Sequence, residues 1–395
     1  MEISIDLPSA MEPSKDIPLD GDCRLAIITS QAFSISNFRG PLVREMVRRG
    51  IKVYALSPDY DDTSRAAVMA LGAVPVDCFM SRTGMNPFRD ALNLFLLSRQ
   101  LRSLKLSASL TYFIKPVIYG TLAARLAAVP KRFALIEGAG YVFANSEKLS
   151  ISRRFLRSFV TQLYRLSLSQ ADGVFLLNPD DKNLFINARM VSVEKIQLLD
   201  GIGLDLSYYK ATPPVLQPVC FILVARFLRE KGIYDYIDAA RKIKAFHPKV
   251  RFLLLGSVDL NPGSVSASEI RAWVAEGLIE CPGQVIDVRN WIAQASVFVL
   301  PSYYREGLPR STQEAMALGR PVITTNWVGC KETVEEGING FMVPVRDPEA
   351  LAQSMLNFIE QPDLIASMGA ASRRLAERRF DVQKINALIL ASMGI

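Results

Sequence analysis

VFVLPSYYREGLPRSTQEAMALGRPVITTNWVGCKETVEEGINGFMVPV, residues 297–345, decides how this chain is read. VFVLPS is a short, β-branched apolar run and predicts a buried parallel strand. PRSTQEAMALG predicts a helix with Pro309 near its first turn and Gly319 just past its end. Glu306 lies in the loop between them. The backbone of Gly307, Leu308, Pro309 and Arg310 then surrounds a helix N-terminus, whose unpaired N–H groups and dipole attract an anion such as a diphosphate. Glu314 lies over a turn further in. A carboxylate there is an acceptor-only group suited to a vicinal diol such as a ribose, while Glu306 at the loop tip faces the hydroxyls of a sugar. Two glutamates with seven residues between them are, taken alone, most often solvated surface. The pattern around them gives them weight.

Upstream, VCFILVA (219–225) predicts a strand and IYDYIDAARKIKAF an amphipathic helix, so Arg226 and Lys231 of the intervening ARFLREKG fall at the carboxyl end of that strand. Open α/β sheets bind ligands at that edge. Two cations beside a diphosphate each gain roughly 4 kcal/mol of Coulomb attraction at ~4 Å in an effective dielectric of ~20, before desolvation. The plain alternative is ordinary loop decoration.

At 395 residues the chain exceeds what one core usually grows to, and two domains of roughly 150–200 residues are expected. Strand candidates LAIITS, KVYALSP, AVPVDCF, LTYFI, RFALIEG, GVFLLN and KIQLLD alternate with helical patterns such as PLVREMVRRG, which predicts a parallel sheet in the first half. KATPPVLQP (210–218) breaks the periodicity. The expected organisation is therefore a disordered tail at 1–22, a domain at 23–209, a linker at 210–218, a second domain at 219–375, and a C-terminal helix at 376–395. The start is acidic and broken by proline, unlike a signal peptide, and no run approaches the ~18 apolar residues needed to span a bilayer. Five scattered cysteines without C-x-x-C spacing argue for a reducing cytoplasm and against a zinc site or a disulfide framework.

The one histidine, His247, precedes a proline at a helix end and reads as structural, which disfavours Ser-His-Asp and Cys-His chemistry. Asp59-x-Asp61 in PDYDD has the shape of a metal motif but follows a strand in the first domain, and a turn is expected there. A formal charge of +7 favours an anionic partner. No nucleic-acid reader motif appears. The basic residues instead interleave with apolar ones in FRDALNLFLLSRQLRSLK and in ISRRFLRSFVTQLYRLSLS, where Arg153, Arg154, Phe155, Arg157 and Phe159 suit an anionic membrane surface. The alternative is an amphipathic helix packed on the first domain.

E-G-L-P-R-S-x-x-E-A-M-A-x-G-x-P-V-I-x-T, followed by G-C-K-E and G-x-N-G-F-x-V-P, resembles the donor half of the retaining glycosyltransferases of family 4. That resemblance implies an α/β GT-B fold, with two Rossmann-like parallel-sheet domains facing across a cleft. It implies that Arg226 and Lys231 hold the donor phosphates, that Glu306 positions the donor sugar and Glu314 the ribose, and that Val288 and Arg289 sit at the nucleotide base. NFRGPL, SRTGMNPFRD, IKPVIYGTLAARLA and GYVF resemble a narrower branch, whose members glycosylate undecaprenyl-diphosphate-linked acceptors in capsule, O-antigen, exopolysaccharide or protein-glycan assembly. The first loop, SQAFSISNFRGPL, carries Asn37, Arg39 and Gly40, which with Lys115 are candidate cleft residues of the first domain. Where many family members place a histidine near the donor sugar, this chain has Glu137 in E-G-A-G; it contacts the sugar or shapes the loop.

The expectation is thus a hexosyl- or N-acetylhexosaminyltransferase using a nucleotide sugar, UDP-linked, as co-substrate, with no metal or other cofactor. A lipid-linked saccharide accepts the sugar, and the protein sits peripherally on the inner face of the plasma membrane. A GT-B sugar-nucleotide 2-epimerase and a non-catalytic sugar-nucleotide-binding or membrane scaffold are the alternatives.

Overall fold

The structure is a computed structural model that describes residues 23–80, 87–143, 151–258 and 263–395. The tail expected at 1–22 lies outside the described residues. By its contacts the chain divides into two units, one running to Gly203 and regaining Val382–Ile395, the other Leu204–Asp381.

The first unit holds strands β1 (Arg24–Ile28), β2 (Lys52–Ser57), β3 (Val74–Asp77), β4 (Ala108–Tyr112), β5 (Lys131–Ile136), β6 (Gly173–Leu176) and β7 (Ile196–Leu198). Its helices are α1 (Phe33–Arg48), α2 (Asp62–Ala70), α3 (Pro87–Ser103), α4 (Thr121–Leu126), α5 (Ile151–Ser169) and α6 (Pro179–Asn187). The strands pair in parallel in the order β3-β2-β1-β4-β5-β6-β7. Helical crossovers cover both faces of such a sheet, so its strands are apolar throughout rather than alternating. Every residue of β4 and β6 is buried.

The second unit holds α7 (Ile233–Phe246), α8 (Ala267–Ala275), α9 (Arg289–Ile292), α10 (Arg310–Ala317), α11 (Pro348–Glu360) and α12 (Asp363–Arg379). Its strands are β8 (Cys220–Val224), β9 (Arg251–Leu255), β10 (Glu280–Gly283), β11 (Val297–Leu300), β12 (Val322–Thr325) and β13 (Gly340–Val343). They pair in parallel in the order β10-β9-β8-β11-β12-β13. The strand order reverses between β8 and β11, and at such a switch point the two following loops leave the sheet in opposite directions and open a crevice. The core behind it packs Phe221, Phe252, Tyr236 and Ile237 against Val297 and Val299.

Three expectations meet a different local structure. Asn37, Arg39 and Gly40 do not sit in a loop: α1 has already begun at Phe33 and runs through them, with Pro41 inside the helix. Glycine and proline signal a break only when the backbone has nothing better to do, and here Ile35, Leu42, Val43 and Met46 bury the inner face of the helix. The stretch 210–218, expected as a linker, is packed within the second unit. Arg320, fully buried, donates to the carbonyls of Thr212 (2.8 Å) and Pro213 (3.2 Å), to the Thr212 hydroxyl and to the carbonyls of Ile292 and Ala293. Burial alone pulls its pKa down to about 10, and the ring of carbonyl acceptors is what makes a buried guanidinium tolerable. The C-terminal stretch is two helices rather than one, α12 and then α13 (Val382–Met393), and α13 packs on α1 in the first unit.

Candidate active site

At the carboxyl edge of the second sheet, the loops after β8 and β11 are sewn together. The carbonyl of Glu230 accepts from the backbone N–H of Tyr303 (2.8 Å) and of Tyr304 (3.0 Å) and from the Ser302 hydroxyl (3.2 Å). Gly232 follows in the left-handed region at φ 74°, directly over the Pro301 carbonyl, where a Cβ would overlap that oxygen. Only glycine permits both the dihedral and the approach. Gly329 does the same from the other side: at φ 76° it lies so close to the loop that a Cβ would sit 2.6 Å from the Glu306 carbonyl oxygen.

This sewing brings together two residues that the sequence separates by 75 positions. Lys231 Nζ pairs with Glu306 Oε1, the side chains being 12% and 14% exposed. Tyr304, which the sequence reading passed over, lies at the junction: Lys231 Nζ is 5.4 Å from its ring centroid, and the nearby Arg226 cation opposes the rise of its phenol pKa. Burial first, and the neighbouring Glu306 carboxylate second, push the Tyr304 phenol above its ordinary value, so it stays protonated at neutral pH.

Pro309 is the N-cap of α10 and offers no side-chain cap, which leaves the helix end to other acceptors. Gly307, Leu308 and Pro309 are buried, and Arg310 and Glu314 lie one turn apart on the helix. Glu314 is 8% exposed. Its Oε1 accepts from Tyr209 Oη at 2.8 Å and from Arg310 Nε at 2.9 Å, while Oε2 has no partner among the described residues. The carboxylate therefore presents one oxygen rather than two. Burial, then the Glu314 charge, raises the Tyr209 pKa far above the ordinary phenol, which keeps Tyr209 a donor.

Arg289 begins α9, with Val288 at its N-cap. Its guanidinium is held edge-on by Asp287 (2.6 Å from Nη2 to Oδ2) and by the Tyr208 carbonyl (3.0 Å), and it lies 3.5 Å above the Tyr208 ring. It is a flat, fixed plate. Tyr208 and Tyr209 were missed because SYYK carries no periodic or spacing signal. Two adjacent aromatics beside the break in periodicity at 210–218 are the one hint the sequence offers.

In the first unit, Arg39 is buried under the carboxyl edge, pairs with Glu137 at the end of β5, and stacks 4.8 Å from the Tyr112 ring. Arg39 thus holds Glu137 in place. Asn37 is exposed on α1 and Gly40 packs against Leu71. Lys115 Nζ pairs with the buried Asp90 at 3.1 Å, and Tyr119 donates to the same carboxylate at 3.2 Å. On α5, Arg154, Phe155 and Phe159 are exposed, Arg153 is half-buried, and Arg157 lies 5.5 Å from the Phe143 ring. Asp59 accepts from the Ala32 N–H and the Ser57 hydroxyl, and Asp61 caps α2. His247 ends α7 as its C-cap.

Residues 218–361, which carry all four of Arg226, Lys231, Glu306 and Glu314, match the family described as glycosyl transferases group 1. The matched segment lies within the second unit, Leu204–Asp381. Over 355 residues it is 25% identical to the N,N'-diacetylbacillosaminyl-diphospho-undecaprenol alpha-1,3-N-acetylgalactosaminyltransferase of Campylobacter jejuni, covering 86% of this chain and 90% of that one. It is 27% identical over 281 residues to the capsular polysaccharide biosynthesis glycosyltransferase CapM of Staphylococcus aureus, covering 69% and 72%. The solved structure of Anabaena HepE in complex with UDP superposes with a TM-score of 0.74 at 17% identity, over 94% of this chain and 99% of that one. The transferase therefore has two Rossmann-like parallel-sheet domains of the GT-B class. Among its described residues no helix is long and apolar enough to cross a membrane.

Proposed function

We propose that this glycosyltransferase moves a hexose or N-acetylhexosamine, with retention, from a UDP-sugar to a saccharide carried on a polyprenyl diphosphate, in the assembly of a bacterial surface polysaccharide or glycan. The observation that carries the reading is the pairing of Lys231 with Glu306 against Tyr304 and Arg226, beside the uncapped N-terminus of α10. An ammonium has three donors and Glu306 takes one, which leaves two for phosphate oxygens. Arg226, Lys231 and the α10 amides would neutralise charge growing on the leaving diphosphate, where no reorganisation is needed at the moment of reaction. Glu306, fixed by Lys231, would face the reacting sugar. Glu314 Oε2 would accept both hydroxyls of the ribose, and the Arg289–Tyr208 plate would flank the base. The relatives' names support the lipid-linked acceptor, and the basic, apolar outer face of α5 supports a peripheral seat on the inner membrane leaflet.

The test is direct incubation with polyprenyl-diphosphate-linked monosaccharides and a panel of UDP- and GDP-sugars, read by mass and by the anomeric coupling of the product. One sugar added from a UDP donor with unchanged anomeric configuration is expected. Donor hydrolysis with no addition to any lipid-linked acceptor would refute the acceptor class, and an inverted linkage would refute retention.

A further inference from the structure

The charge of this chain is not evenly spread. Residues 87–169 hold thirteen Lys and Arg against three Asp and Glu, a net of +10, while the whole chain carries +7, so everything else is net −3. That segment runs α3–β4–α4–β5–α5. Its strands are inside the sheet, and α3 packs on α4 and α4 on α5, as right-handed crossovers stepping one way along the sheet require. Eight of those thirteen cations lie on α3, α4 and α5 against the single acid Asp90, so this helical layer carries a net +7.

The same layer carries unpartnered apolar side chains. On α3, Phe88 is 90% exposed and Leu92 and Phe95 are each 56% exposed, spaced four and three residues apart and so on one stripe. Arg99 continues the stripe one turn on, its guanidinium 6.0 Å from the Phe95 ring. The opposite side of α3 is fixed inward by Leu97 and Leu101 in the core and by Asp90 on Lys115 and Tyr119. On α5 a parallel set, Ile151, Phe155 and Phe159, is exposed. Aromatic and aliphatic tips ringed by arginines with almost no acidic residue are the make-up of helices that lie in the headgroup region of an anionic bilayer. A protein partner of matching charge would have to be both acidic and apolar over two helices; an anionic leaflet is both everywhere.

We propose that α3 is a second membrane anchor, acting with α5, so that the α3–α4–α5 layer of the first unit is the lipid-facing surface. This deepens the membrane reading given above and rests on it. One helix in the interface leaves the protein free to roll about that helix's axis. Two helices side by side define a plane, and that fixes which way the carboxyl edge of the first sheet is turned toward a lipid-borne substrate.

The experiment is flotation of the full chain with phosphatidylglycerol/phosphatidylcholine vesicles and with pure phosphatidylcholine vesicles, at low and high salt. The variants are F88S/F95S on α3, F155S/F159S on α5, and the four together. Thermal melting and UDP binding by calorimetry check that the fold and the donor domain are intact. We expect wild type to float with the anionic vesicles in a salt-sensitive way, each double variant to lose at least about tenfold in partitioning, and the quadruple variant to stay in the pellet. If wild type floats and F88S/F95S floats as well as it does, the α3 anchor is refuted while the membrane reading stands. Failure of wild type to float sinks both. A shift of F88S/F95S from dimer to monomer in light scattering, with flotation unchanged, would make the stripe a self-interface and overturn the proposal.

Discussion

Replacing Tyr209 with Phe removes a single oxygen and tests how Glu314 works. The Tyr209 hydroxyl donates to Glu314 Oε1 at 2.8 Å, and Arg310 Nε donates to the same atom at 2.9 Å. A hydrogen bond to a charged acceptor contributes about 1.5–3 kcal/mol, but the arginine remains in the variant, so the loss should fall at the lower end. Freed on one side, the carboxylate can rotate and lose the presentation of Oε2 to the ribose. We expect the dissociation constant of UDP to rise about 5–20-fold, or roughly 1–1.8 kcal/mol. Because ribose contacts are equal in ground and transition states, donor KM should follow while kcat changes less than threefold or so. Titration calorimetry with UDP and with 2′-deoxy-UDP is the assay. The deoxy nucleotide lacks the diol, so the variant should bind it nearly as well as wild type does, giving a coupling near 1 kcal/mol in the cycle. An equal loss for both nucleotides would show that Tyr209 does not act through the ribose, and no loss for either would refute the clamp altogether.

Four further outcomes are expected. Glu306→Gln should lower kcat with little change in donor affinity, because its charge matters most as the bond to phosphate breaks; near-normal kcat would remove Glu306 from the reacting centre. Arg226→Ala and Lys231→Ala should each lower kcat/KM by roughly a hundredfold, about 3 kcal/mol, with the larger fall for Lys231, which also strands Glu306. Turnover should persist in excess EDTA, and a loss restored by Mg²⁺ or Mn²⁺ would contradict the assignment of phosphate charge to these cations. Asp235, in the first turn of α7, has a buried carboxylate oxygen with no partner, and burial first, then Asp238, raises its pKa to about 6 from 3.8. The folded state thus holds the proton more tightly than the unfolded chain, so stability is lost as pH rises from about 4 through about 6. At about 1.4 kcal/mol per pH unit, discounted for partial exposure, Asp235→Asn should be near neutral at pH 4 and stabilising by about 1–2 kcal/mol at pH 7 in denaturant titrations. Equal effects at both pH values would refute it.

The alternation of apolar strands with amphipathic helices could be read along the chain because it rests on the spacing of side chains over one element. The same holds for the R-x4-K and E-G-L-P-R loops, which must follow a strand and precede a helix to be in place. Where local signals misled, a distant partner had overruled them. Gly40 and Pro41 suggested a loop, yet the buried face of α1 kept the helix; the prolines at 213, 214 and 218 suggested a linker, yet Arg320 draws Thr212 and Pro213 onto the second unit.

What the sequence by itself determined was which residues are chemically able to meet a nucleotide sugar and at which end of which strand they stand. What only the tertiary structure decided was who holds whom. Lys231 meets Glu306 across 75 positions, Tyr209 meets Glu314 across 105, and Arg39 meets Glu137 across 98. Each pair comes from two loops or helices brought together by the packing of whole sheets, and such a meeting leaves no trace in the spacing of residues along either segment, because periodicity records only what a residue's own helix or strand does with its side chain.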